Sequence, residues 1–217
     1  MDNLTVIDRT AEHVQRMLSA DNTGHDWWHV NRVWKNAVLI GREEHADMFI
    51  VELAALLHDI ADWKFRDGDH AAGAREARQW LEKLNVDPGA IERVCTIINE
   101  VSFKGAGVQT TPSTLEGMVV QDADRLDALG AIGIARAFSY GGHKGNPIHA
   151  PDIPLSLHQS FEEYKNRKST TINHFHEKLL LLKDRMNTAA GKRLAEERHR
   201  FLQSYLDRFL AEWEGRM

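Results

Sequence analysis

Apolar residues recur along most of this chain at helical rather than alternating spacing. Val6, Val14, Met17 and Leu18 predict a first helix over residues 5–20. Trp28, Val33, Ala37 and Ile40 predict a second over about 26–44, opened by Gly24 and Asp26, with Trp28 packing inward and Trp27 left beside any site mouth. A third, 47–60, starts at Asp47, and its run Ile50-Val51-Glu52-Leu53-Ala54-Ala55-Leu56-Leu57 is apolar on nearly every side. Such a helix belongs in a core. Residues 70–84 predict a polar-faced helix ending near Asn85, and Pro88 suits the first turn of the next. The Gly-, Thr- and Pro-containing stretch 103–113 predicts a loop. A helix from about 114 runs through Asp122-Ala123-Asp124-Arg125-Leu126-Asp127, and a glycine-containing one continues to Phe138. Glycines and prolines over 140–155 predict a long loop, followed by helices near 156–167, 172–187 and 188–214. Leu194, Phe201, Tyr205, Phe209 and Trp213 give the last of these an apolar face to pack against the body. The fold class is all-α. The expected organisation is one domain over 1–217, with a core over about 20–140 and a C-terminal helical extension over about 155–217.

Composition narrows the setting. The 217 residues suffice to bury a sizeable core without cross-links. The single cysteine, Cys95, cannot form an intrachain disulfide, which suits a reducing compartment, and its apolar neighbours predict a buried side chain. A net charge of -5 argues against an extended nucleic-acid surface but leaves room for a local cationic pocket. No apolar run reaches the roughly 20 residues of a membrane helix, and the acidic start Met1-Asp2-Asn3-Leu4 has no leader pattern. The expected location is cytoplasmic, with no membrane partner; a homo-oligomer is left open.

Three segments could carry chemistry. His58 and Asp59 end the apolar helix, where polar groups need partners, and Asp62 falls on the same face. From this segment alone a capped helix end with His58 hydrogen-bonded in the core is an equal account. His25 and His29 stand four apart and can share a helix face, as metal-binding pairs do. Asp124 and Asp127 share a face at the edge of the core, whereas Asp122 is turned about 200° from Asp124. Arg125 beside them could simply neutralise one acid. Two imidazoles and two carboxylates form a nitrogen–oxygen set suited to Mn, Fe, Mg or Zn.

His29, then His58-Asp59, then Asp124 resembles the H…HD…D signature of the HD-domain metal-dependent phosphohydrolases. The strings Gly24-His25-Asp26-Trp27-Trp28-His29, Leu56-Leu57-His58-Asp59-Ile60-Ala61-Asp62 and Asp122-Ala123-Asp124-Arg125-Leu126-Asp127-Ala128 look like those of small stand-alone bacterial HD hydrolases. The resemblance implies an all-α helical bundle with His29, His58, Asp59 and Asp124 as ligands of a divalent ion. Mn is the first choice, with Fe, Mg, Ni and Zn as alternatives. Relatives with two metals carry extra histidines between the HD pair and the last Asp; here only His70 lies between, which implies one ion. Asp62 matches a position that assists the attacking water in several relatives, where it is the longer Glu.

The resemblance also implies a phosphorylated small-molecule substrate, first of all a nucleoside triphosphate cleaved to monophosphate and pyrophosphate. A phosphomonoesterase, a cyclic phosphodiesterase and a non-catalytic nucleotide-binding regulator are the alternatives. Phosphates need cations near the metal. The candidates are His25, Lys64, Arg66, Lys104, Arg125, His143 and Lys144, with Lys64 foremost because it follows the HD pair closely. The glycines around His143 and Lys144 could form a phosphate lid over 141–147 or an incidental surface turn.

Overall fold

The computed structural model of the protein describes residues 1–19, 26–60, 71–101, 111–155 and 169–216. Among them are nine α-helices, two short 3-10 turns and no strand. The described chain forms two compact units, one ending at Asp124 and the other beginning at Arg125.

The first unit holds α1 (Asn3–Met17), α2 (Trp27–Glu43), α3 (Met48–Leu57), α4 (Ala72–Lys83), α5 (Pro88–Val101) and α6 (Leu115–Asp127) as far as Asp124. α3 is its central rod, with Ile50, Val51 and every residue from Leu53 to Leu57 buried. Helices α1, α2 and α5 pack on it, and α4 packs on α5. Burying each large aliphatic side chain there contributes about 1.5–3 kcal/mol. The helix ends follow local chemistry. Asp2 caps α1 by accepting the Thr5 N–H at 2.8 Å, so the helix starts two residues before the expected one. Asn85 takes the left-handed conformation (φ 54°) just past α4, and the Val86 N–H closes on the Leu81 carbonyl at 3.1 Å. That closure is the Schellman ending, which Asn tolerates better than most side chains. Cys95 is buried in α5, as expected, with its thiol on the Ala74 carbonyl at 3.3 Å.

Trp27 and Trp28, at the start of α2, do not lie as expected. Trp28 is 63% exposed, and Trp27 is half-buried. The buried stripe of α2 is His29, Val30, Val33, Ala37, Ile40 and Gly41. At about 100° per residue, Trp28 lies about 160° from the centre of that stripe and Trp27 only about 100°.

The second unit holds α7 (Gly130–His143), α8 (Thr171–Glu177), the 3-10 turns Leu179–Leu181 and Lys183–Arg185, and α9 (Ala189–Trp213). Three sequence expectations are corrected here. The loop expected from residue 140 begins later, because α7 runs on through Gly141, Gly142 and His143. A side chain at 141 would place its Cβ 2.2 Å from the Thr171 hydroxyl, so this glycine lets two helices approach and does not break one. The single helix expected over 172–187 stops at Glu177 and gives way to the 3-10 turns. Three residues per turn put Leu179 and Leu182 on one buried face, while Leu181 stays 38% exposed. On α9 the buried stripe is Ala195, His199, Leu202 and Leu206. Tyr205, Phe209 and Trp213 cluster with Phe138, Phe175 and His149 beside it, but Phe201 is 54% exposed and takes no part. The helix expected at 156–167 and most of the loop at 103–113 lie outside the described residues. No described helix is long and apolar enough to cross a membrane.

Candidate metal centre

The candidate centre lies in the first unit, where three segments bring polar side chains to one place. His29 occupies the first turn of α2. Asp26, the residue before that helix, accepts the His29 N–H with its carboxylate at 2.9 Å. This N-cap satisfies one of the free donors of the first turn and sets where His29 leaves the helix. His58 and Asp59 follow Leu57 as α3 ends, in a turn closed by the Ile60 N–H on the Leu57 carbonyl at 3.2 Å. Asp124 stands near the end of α6, after the buried Val119, Val120 and Ala123.

The geometry is tight. His29 Nε2 lies 3.4 Å from Asp59 Oδ2 and 3.5 Å from Asp124 Oδ1, and His58 Nε2 lies 3.5 Å from the same Asp59 oxygen. The imidazoles meet edge to face, with ring centres 5.5 Å apart. Both histidines are buried; the Asp124 side chain is 39% exposed. Hydrogen bonds of this kind run at about 2.7–3.2 Å, so these separations are too long for them. They match adjacent donors around one ion with bonds of roughly 2.0–2.2 Å.

His58 carries a second sign. Its Nδ1 lies 2.8 Å from the Ala55 carbonyl, which can only accept. Nδ1 therefore holds the proton, and Nε2 presents a lone pair. That Nε2 is buried and makes no hydrogen bond among the described residues. A buried acceptor without a donor is costly unless something electrophilic meets it. The donor set thus fits a divalent cation: His29, His58 and Asp59 could hold one, and Asp124 adds a carboxylate oxygen beside His29. An ordered hydrogen bond on the far ring nitrogen is the usual support of a metal-binding histidine.

The other expected site residues fall elsewhere. His25, Asp62, Lys64, Arg66, His70 and Lys104 lie outside the described residues. Arg125, His143 and Lys144 belong to the second unit. Arg125 donates to the Arg185 carbonyl. His143 is exposed in the last turn of α7, and Lys144, also exposed, lies 5.7 Å above the Tyr140 ring. Asp127 is buried against Arg136 at 2.6 Å, and Asp122 is wholly buried on the side of α6 away from Asp124. Asp26 opens α2 as expected from the sequence. One support escaped the sequence reading: the Trp34 indole N–H bonds Glu52 at 2.9 Å and ties α2 to α3, and nothing in the local pattern announces it.

Comparison with known proteins supplies the family. The HD domain family matches residues 27–129, which include all four donors. The uncharacterized protein YpgQ of Bacillus subtilis is 40% identical over 207 residues, covering 95% of this chain and 93% of its own. The crystal structure of YpgQ in complex with ADP matches with a TM-score of 0.78, covering 98% of this chain and 96% of that one. An HD-superfamily hydrolase from Bacillus thuringiensis matches with a TM-score of 0.78 at 41% identity, covering 98% of this chain and 99% of its own. A more distant match, at 28% identity and a TM-score of 0.65, is a predicted HD-superfamily hydrolase from an uncultured Thermotogales bacterium, covering 95% of this chain and 92% of that one. With the donors in their HD order and relatives aligned over nearly its whole length, this chain belongs to the HD-domain family as a metal-dependent hydrolase.

Proposed function

We propose that His29, His58, Asp59 and Asp124 hold one divalent ion, Mn²⁺ first among the candidates, and that the protein hydrolyses a phosphate ester or anhydride. The substrate class we place first is a nucleoside triphosphate, cleaved to monophosphate and pyrophosphate. The observation that carries the reading is the buried lone pair of His58 Nε2, aimed by the Ala55 carbonyl into a group with the Asp59 carboxylate. A divalent ion held there polarises a phosphoryl oxygen and lowers the pKa of water beside it.

The chain's own residues supply the rest. The Asp62 carboxylate orients a water and takes its proton as the water oxygen bonds to phosphorus. The bond from phosphorus to the leaving oxygen breaks in the same displacement. His25 and Lys64 are the cations proposed to neutralise the phosphates. The ADP complex of YpgQ supports a nucleotide as ligand. Since the YpgQ sequence aligns over 95% of the chain, we take residues 1–217 to work as one HD-type domain.

The test is a nucleotide and sugar-phosphate panel with added Mn²⁺ and identified products. Pyrophosphate from a nucleoside triphosphate is the expected result. Release of orthophosphate, or opening of a cyclic phosphodiester, would move the assignment to the monoesterase or phosphodiesterase reading. The YpgQ complex is also what a nucleotide-binding regulator would give; saturable binding without turnover on the whole panel would establish that reading instead.

A further inference from the structure

The far ends of the two helices that bring the HD pair and Asp124 are joined by one arginine. Arg93, on α5, places Nη1 2.8 Å from Asp47 Oδ2 at the start of α3. Its Nη2 lies 3.5 Å from Glu116 Oε2 in the first turn of α6. Glu116 in turn accepts the Asp47 N–H at 3.1 Å, so the two helix starts also touch directly. Asp47 precedes α3 in the N-cap position, yet its carboxylate makes no capping bond there; it is turned outward to the guanidinium. One more contact ties the start of α6 to α5: the Ser113 N–H donates to Glu100 at 2.9 Å.

We propose that Arg93 is a positioning residue for the metal centre, clamping the starts of α3 and α6 so that His58-Asp59 and Asp124 converge at their ends. The inference rests on the reading of Asp124 as a ligand. Its physical basis is leverage. A helix rises about 1.5 Å per residue, so Asp124 lies about 12 Å along α6 from Glu116. A tilt of about 5° at the clamped end would then move Asp124 by about 1 Å, more than the ~0.5 Å a metal site tolerates. Asp124 is the most exposed of the four donors and stands on a separate helix. Its distance to the others therefore depends on how α6 is set. The outer limb of the clamp adds little to stability, because the Arg93 and Asp47 side chains are 45% and 42% exposed, whereas Glu116 on the inner limb is 13% exposed. Exposed ion pairs contribute little to folding.

The experiment is a calorimetric titration of Mn²⁺ into chelator-stripped full-length protein, with thermal melting of each metal-free variant alongside. The set is wild type, Arg93→Ala, Glu116→Gln, Asp124→Ala and Arg78→Ala. Arg78 provides the control. It pairs with Glu92 at 2.6 Å, an exposed ion pair between α4 and α5 that touches neither metal-bearing helix. Removing partners that orient metal ligands typically weakens binding about 10- to 100-fold. For a clamp this remote we expect about three- to tenfold in Arg93→Ala and Glu116→Gln, and no change in Arg78→Ala at a similar melting temperature. Glu116→Gln keeps an acceptor for the Asp47 N–H while losing the charge, so it reports on the clamp even should Arg93→Ala fold poorly. Wild-type affinity in both clamp variants, with weakened binding in Asp124→Ala, would overturn the inference and leave the ligand reading standing. Wild-type affinity in Asp124→Ala would overturn both. Equal weakening in Arg78→Ala would also overturn the inference, by reducing the effect to general loosening.

Discussion

At the scale of single residues, the site depends on small groups that orient the donors. Asp26 holds the backbone of His29, and the Ala55 carbonyl selects which nitrogen of His58 keeps its proton. The grouping of His29, His58 and Asp59 was legible in the sequence, because the order of the segments that carry them is a property of the string. The proton on His58 was not, because it depends on a carbonyl that reaches the ring only once α3 has formed. Nor was the fate of Asp127, which shares a helix face with Asp124 yet is committed to Arg136. Spacing places two carboxylates on one side of a helix; the partner on another helix decides which is left for a metal. The cap gives a prediction. Asp26→Ala should cost about 1 kcal/mol of stability, since an aspartate N-cap is worth about that much. Asp26→Asn should cost almost nothing, as Asn caps equally well. Urea denaturation of the metal-free variants checks this, and an equal loss in both would show that the cap is not the source.

At the scale of elements, α3 was the most legible. Its apolar run has one reading, a rod buried on all sides, and that is how it lies. Because it is packed all round, its last turn is rigid enough to present His58 and Asp59. Leu56→Ala, two residues before His58, should therefore cost about 2–5 kcal/mol, the transfer term plus a cavity that close packing cannot fill. Chemical denaturation measures it, and a loss below 1 kcal/mol would mean that the end of α3 is loosely packed. The misjudged elements differ in cause. Trp28 was expected inside as one of the apolar positions of α2, but the buried stripe is centred about 160° away from it, so its phase turns it outward. Gly141 read as loop punctuation, yet it serves the approach of Thr171. The leucines from 179 to 182 fit a 3.6-residue period and a threefold period about equally, and the break at Lys178 (φ -139°, ψ -59°) selects the second. Of these, Gly141 was decided by a neighbour that local pattern does not contain.

At the scale of the whole molecule, two features stand out: desolvated histidines and a centre built from segments distant in sequence. Burial pushes the His174 imidazole, on α8, down to about 3, with the nearby Lys178 adding to the effect. Burial also lowers His13 and His199. In the unfolded chain each returns to about 6.5. Below that pH the unfolded state binds protons that the folded state refuses, so stability is full above about 6.5 and falls as the pH drops toward 3. Metal-free protein should therefore show a lower urea midpoint at pH 5 than at pH 7.5, and His174→Asn should narrow the gap. A midpoint unchanged over that range would contradict these burials.

The metal centre is the feature on which the functional reading turns, and Asp59 is at its middle, with one oxygen 3.4–3.5 Å from both imidazoles. The most direct measurement is metal content after loading with Mn²⁺ and removal of the excess, in wild type and Asp59→Ala, both checked for helical content by circular dichroism. One equivalent per chain is expected in the wild type, and an empty, inactive Asp59→Ala that is still helical. An Asp59→Ala protein that kept its full metal content would contradict that reading.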